Sequence, residues 1–135
     1  MTTKTNIYNF FSKIPDGLSK EGQKIYLKWV KDYEKGSKKP FLLKHVDLSS
    51  GTPFQQKVWK ELSKIPYGKT ISYRELAKRV GSSKAFRAVG NANGKNPFPL
   101  IIPCHRVIAA DGSLGGYSCG IQIKKDLLKI EGIHF

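Results

Sequence analysis

Apolar residues recur with a helical period over several stretches of this chain and lose it around one short run near the middle. From Ser19 onward, Tyr26, Trp29, Val30 and Tyr33 fall at i, i+3, i+4 and i+7, one face of a helix that Gly36 is placed to stop. The polar positions between them are mostly Lys, which makes this a core-packing stripe with a basic outer face. Upstream, Ile7-Tyr8-Asn9-Phe10-Phe11 is an aromatic patch that fits a strand or a packed arm equally well. Downstream, Phe41 to Leu48 suggests an extended connector ending at Ser49-Ser50-Gly51, and the boundary between two regions, 1–50 and 51–135, is expected there.

The second region opens on a strong start signal. Thr52-Pro53-Phe54-Gln55 is a capping box with proline at the first helical position. Phe54, Val58, Trp59, Leu62 and Ile65 make the apolar face, and Pro66-Tyr67-Gly68 is expected to end it. Ser72-Tyr73-Arg74-Glu75 is a second capping box, followed by a stripe of Tyr73, Leu76, Ala77 and Val80 and by Gly81. Ser82 or Ser83 then caps a third helix through Phe86, Arg87, Val89 and Ala92, broken at Asn93-Gly94-Lys95-Asn96. Two short helices joined by a Gly-Ser turn form a candidate helix-turn-helix.

Beyond them the period changes. Leu100-Ile101-Ile102, flanked by prolines, suggests a buried strand, and Val107 to Ala110 a second one, with Asp111-Gly112 as a hairpin turn. Ser113 to Ser118 follows as a Gly-rich loop. The last helix is expected over about Ile121 to Glu131, with Ile123, Leu127 and Ile130 on one stripe and Gly132 as its stop. The expected class is therefore α/β, mainly helical, with short strands.

Composition narrows the partners. Lys and Arg total 24 against 10 Asp and Glu, a formal charge of +14. That excess favours a polyanion such as nucleic acid, although a Lys-rich solvated face has the same composition. The 135 residues suit one modest core. Two cysteines, Cys104 and Cys119, are too few for a disulfide framework or a Cys-based zinc site, so no metal and no cofactor is expected. No long apolar span appears, which makes a soluble cytoplasmic protein, nuclear in a eukaryote, the expectation, with no membrane partner.

Candidate chemistry gathers at Asn96 to Val107, where the expected strand hands over to Pro103-Cys104-His105-Arg106-Val107. A cysteine nucleophile needs a base or a positive neighbour, and His105 and Arg106 provide both. In a strand, however, adjacent side chains point to opposite faces, so His105 can serve Cys104 only if the chain turns or a water bridges them. Glu131 is the candidate third group to fix the histidine tautomer. It lies beside the apolar stripe of its helix, unusual for a carboxylate without a partner. The plainer alternative is an inert core cysteine.

Seven markers occur in order: Gly51-Thr52-Pro53-Phe54-Gln55-Gln56, Ile65-Pro66-Tyr67-Gly68-Lys69-Thr70, Arg87-Ala88-Val89-Gly90, Asn96-Pro97, Pro103 to Val107, Gly116-Tyr117-Ser118 and Glu131-Gly132. Over about Gly51 to Gly132 the chain resembles the O6-alkylguanine-DNA alkyltransferases, the methylated-DNA–protein-cysteine methyltransferases. The resemblance implies single-turnover transfer of the alkyl group from O6-alkylguanine in double-stranded DNA to Cys104, after the damaged nucleotide is flipped out, by a monomer bound in the minor groove. It implies Arg87 as the wedge that replaces the extruded base. Ser72, Ala88, Gly90, Asn93 and Lys95 complete the DNA-facing set, the small residues allowing close approach to phosphates. Pro99, Val107, Tyr117, Ser118 and Cys119 would line the base pocket, Tyr73 would donate a proton to the purine, and Asn96 would tie the active-site segment to the recognition helix. Family members usually carry a larger N-terminal domain, so region 1–50 is shortened by that standard. Two rivals remain: a lesion sensor of the same fold, in which another residue takes the cysteine position, and a thiol hydrolase using Cys104 and His105.

Overall fold

A computed structural model describes residues 6–135; the first five residues of region 1–50 lie outside it. The fold is α/β and mainly helical, built from α1 (Ile7–Phe10), α2 (Lys20–Glu34), α3 (Pro53–Leu62), β1 (Ile71–Ser72), α4 (Tyr73–Arg79), α5 (Phe86–Gly94), β2 (Val107–Ile108) and α6 (Ile121–Ile130). Two 3-10 turns, Leu43–His45 and Cys104–Arg106, join them. Among the described residues no helix is long and apolar enough to cross a membrane.

The helices start where their caps are. Ser19 accepts from the Gly22 amide at the head of α2, and Thr52 and Gln55 exchange both capping-box bonds at the head of α3. The aromatic patch near the N-terminus is a single helical turn, capped by Asn6, rather than a strand or extended arm. The segment expected to be an extended connector folds partly into the 3-10 turn at Leu43–His45, with His45 buried against Ser19. Helix α3 stops at Leu62, before Pro66, where the amides of Lys64 and Ile65 donate three residues back, to the Glu61 and Leu62 carbonyls, and tighten the chain out of the α-helix.

The second capping box is half formed. Ser72 accepts from the Glu75 amide, but the Glu75 carboxylate pairs with Arg79 one turn on. At α5 the expected serine cap is absent: the helix begins after Ala85, with no side-chain cap, because Ser82 to Ala85 form a turn of their own. Gly81, at a φ of 75°, makes the bend between α4 and α5 that a side chain would strain.

The expected strand at Leu100 to Ile102 is a turn. Leu100 has a φ of 77°, Ile102 donates back to the Phe98 carbonyl, and Pro103 sits in an inverse γ-turn that closes Cys104 N onto Ile102 O at 2.7 Å. The run is apolar because it is buried, and its one strand-like feature is an isolated bridge between Pro99 and Ile102. The second expected strand is real over Val107–Ile108 only, and Asp111-Gly112 closes a tight turn outside any β-hairpin. Its partner is β1, in parallel, Ile71 opposite Val107 and Ser72 opposite Ile108. That pairing fastens the start of the helix-turn-helix to the residues just after Cys104. One continuous core, from Ile7, Val30 and Tyr33 through Trp59, Leu76 and Val89 to Ile102, Val107 and Leu127, surrounds this junction.

Candidate active site

Cys104 opens a 3-10 turn, and this turn answers the geometric objection raised by the sequence: Cys104 and His105 are not on opposite faces of a strand. Both are in the core, Cys104 1% exposed and His105 fully buried. The Nε2 of His105 donates to Glu131 Oε2 at 2.6 Å, which leaves Nδ1 as the ring's acceptor, buried and without a partner among protein atoms. This is the tautomer a general base requires.

Glu131 reaches this position because α6 ends there. The amide of Gly132 donates to the Lys129 carbonyl and that of Ile133 to the Leu128 carbonyl, a Schellman closure with Gly132 at a φ of 85°. The carboxylate, fully buried, also accepts from Arg106 Nε at 2.8 Å and Nη2 at 3.2 Å, from the Gly68 amide at 3.0 Å and from the Tyr33 hydroxyl at 2.6 Å. Burial alone would raise its pKa, but the hydrogen bonds from His105 and Arg106, with the Arg106 charge beside it, hold it down to about 2. Burial lowers that of His105 against the pull of Glu131. Burial likewise pushes the Cys104 thiol up to about 11, with Asn96 and Tyr117 offsetting only part. At rest the site therefore holds a thiol, a neutral imidazole and a carboxylate whose standing counter-charge is Arg106. The sequence suggested Arg106 as a positive neighbour for the thiol; its guanidinium instead bonds Glu131 and the Ile65 carbonyl.

The remaining expected residues divide into those near Cys104 and those on the surface. Asn96 donates to the Ile102 carbonyl at 2.8 Å and accepts from the Phe98 amide at 2.9 Å, stapling the turn that follows α5. Tyr73, at the head of α4, reaches the Gly116 carbonyl at 3.4 Å, and its pKa is raised by burial and by the neighbouring Cys104. The Tyr117 hydroxyl is buried facing Cys104 and Cys119, and its pKa is raised by burial and by the two cysteines. Val107 is buried, Pro99 and Cys119 are half-buried, and Ser118 is exposed. Arg87, Ala88 and Lys95 stand exposed on or just after α5, with Gly90 half-buried and Ser72 half-buried at the cap of α4. Asn93 departs from that set: it is buried, 4% exposed, and its side chain faces Tyr73, so it does not share the open face with Arg87.

Three participants were not anticipated. Lys124 is fully buried, its Nζ donating to Val107 O at 2.7 Å and Gly116 O at 3.0 Å, which ties the Gly-rich loop to β2; burial lowers its pKa to about 8. The sequence carries the clue, since Lys124, Leu127, Leu128 and Glu131 fall on one helical face. Tyr33 and the Gly68 amide are the others, and they come from segments too distant in sequence for any spacing to reveal.

Residues 53–133 match the family described as "6-O-methylguanine DNA methyltransferase, DNA binding domain". A methylated-DNA–protein-cysteine methyltransferase of Methanosarcina acetivorans is 57% identical over 82 residues, 61% of this chain and 53% of that protein. The constitutive enzyme of that name in Bacillus subtilis is 49% identical over 108 residues, 78% of this chain and 64% of its own. The chain thus spans about half the length of the first of these relatives. Among solved structures, Mycobacterium tuberculosis OGT in complex with DNA superposes with a TM-score of 0.75 at 48% identity, covering 79% of this chain and 64% of that one. S. pombe Atl1 bound to damaged DNA containing O6-carboxymethylguanine gives 0.55 at 37%, covering 60% and 77%.

Proposed function

The chain belongs to the 6-O-methylguanine DNA methyltransferase family, and on that premise we propose that it repairs DNA by moving an alkyl group from O6-alkylguanine to Cys104, once per molecule. The observation that carries the reading is the buried succession Cys104, His105, Glu131, with His105 Nε2 committed to the carboxylate and Nδ1 free to take a proton.

Chemistry follows from the resting protonation states. A thiol whose pKa is held near 11 is a poor nucleophile at neutral pH, so its proton must leave as the substrate arrives. His105 Nδ1 takes that proton through a water, and Glu131 stabilises the imidazolium that results. The thiolate sulfur attacks the alkyl carbon in line with the C–O6 bond; the S–C bond forms as C–O6 breaks, and the electron pair passes to the guanine. Tyr73 donates a proton to the purine to neutralise that charge. The product is a thioether, stable to every group at the site, which makes the protein a single-use reagent.

Access requires the nucleotide to leave the duplex, and a base weakened by damage leaves with least cost. Helix α5 supplies the exposed face for double-stranded DNA, with Arg87 as the wedge and Ala88, Gly90 and Lys95 near the backbone in the minor groove. The wall of the base pocket is formed by Pro99, Val107, Tyr117, Ser118 and Cys119, with Lys124 fixing the loop that carries Tyr117. A monomer, without metal or cofactor, suffices for this chemistry.

Intact-protein mass spectrometry after incubation with a duplex carrying one O6-methylguanine tests the proposal, with Cys104→Ala as control. One added methyl, saturating at one per molecule and absent from the variant, is the expected result. Tight binding to the lesion with no gain in mass would replace transfer by damage sensing.

A further inference from the structure

All but one of the groups that hold Glu131 come from the matched part of the chain: Gly68, His105 and Arg106. The exception is Tyr33, in the last turn of α2, outside residues 53–133. Its hydroxyl lies 2.6 Å from Glu131 Oε2 and 3.3 Å from the Leu127 carbonyl, so the single proton goes to the carboxylate. Oε2 is the same oxygen that His105 Nε2 contacts at 2.6 Å.

We infer that Tyr33 is a positioning residue for the Cys104–His105–Glu131 relay: it fixes Oε2 against His105 and tempers the charge that oxygen offers to the imidazolium. Arg106 Nη2 reaches the same oxygen at 3.2 Å, so three donors share its lone pairs, the two short ones being Tyr33 and His105, and each withdraws charge from the others. A phenol kept from ionising by burial and by the adjacent carboxylate can act only as a donor here. Among the described residues it carries the hydrogen bond from the N-terminal region to the relay. The inference rests on the proposed transfer reaction for its meaning, but on geometry alone for the effect on His105 and Cys104.

Tyr33→Phe keeps the ring in the core and removes only the hydroxyl. Oε2 then bears more negative charge toward His105, the imidazolium gains stability, and thiolate forms at lower pH. The other groups facing this pair are Arg106, Tyr67 beside Tyr33, Lys124 toward His105, and Cys104 itself. All are left in place. Tyr67→Phe is the matched control: its hydroxyl donates to the Ile130 carbonyl at 3.1 Å, on the same helix end but not on the carboxylate.

The readout is the rate of Cys104 modification by iodoacetamide across pH 6–10, followed at the peptide level so that Cys119 is scored separately, alongside thermal melts and methyl transfer from the O6-methylguanine duplex. For Tyr33→Phe the rise of Cys104 reactivity moves to lower pH by about half a unit, and for Tyr67→Phe it stays in place. Equal shifts in both variants, or none in either, would overturn the inference. If wild type takes no methyl from DNA yet the iodoacetamide profile still moves in Tyr33→Phe alone, the proposed function fails while the role of Tyr33 stands.

Discussion

Glu131 accepts five hydrogen bonds on two oxygens, and that concentration has a consequence for stability as well as for catalysis. Its folded pKa of about 2 lies below the ordinary value of 4.5, so the unfolded chain binds the proton first as acid is added. The associated stabilisation is complete above about pH 4.5 and disappears as the pH falls toward 2. Replacing Glu131 with Gln leaves Arg106 without its counter-charge, so the variant is less stable than wild type at pH 7. The test is in the slope: chemical denaturation from pH 7 to pH 3 shows wild type losing its margin over Glu131→Gln below pH 4.5. Parallel curves for the two proteins would mean that the carboxylate is not held by these partners. A second residue-scale feature is Leu100, buried at a φ of 77° in the turn leading to Cys104, a conformation that is strained by roughly 1–2 kcal/mol for a side chain and is fixed here by its packing.

At the scale of elements, helices were legible and the active-site turn was not. The stripes of α2, α3 and α6 and the boxes or caps at Ser19 and Thr52 state both the position and the buried face of each helix, because period and capping are local. The Leu100 to Ile102 run misleads because apolarity records burial, and only the left-handed Leu100 and the γ-turn at Pro103 distinguish a buried turn from a buried strand. Cys104, His105 and Glu131 were readable as types in an order, whereas the pairing of Arg106 with Glu131 and the burial of Lys124 depend on packing across the core. The missed cap of α5 makes a prediction of its own. Its first turn leaves amides without a side-chain partner after Ala85, on the helix proposed to face DNA. Ala85→Asp would accept from the amides of the first turn and oppose the positive end of the helix, adding about 0.5–1 kcal/mol to stability. The same negative charge would repel phosphates and weaken duplex binding, most strongly at low salt. Urea midpoints and a salt series of binding isotherms should therefore move in opposite directions; a tighter or unchanged duplex complex would remove α5 from the DNA face.

For the molecule as a whole, the decisive fact is that the proposed nucleophile, Cys104, is inside the core that holds the helices together. Cys104 packs in the same cluster as Trp59, Leu76, Ile102, Val107 and Leu127, and the turn that carries it is fastened through β2 to β1 and so to the head of α4. A methyl added to that sulfur enters space already filled, and inserting one methylene-sized group into a packed core costs about 1–3 kcal/mol. Strain placed there is delivered to the β1–β2 pairing and the start of the helix-turn-helix as well as to the relay. The alkylated protein should therefore melt several degrees below the free one. A benzyl adduct should lower it further, and both should release duplex DNA more readily than unreacted protein. Differential scanning fluorimetry before and after stoichiometric transfer, with Cys104→Ala carried through the same incubation, checks the first two points, and binding of the reacted protein to undamaged duplex checks the third. Equal melting of free and methylated protein would show that the pocket keeps room for the transferred group, and the loss of DNA affinity would then need a cause outside the core.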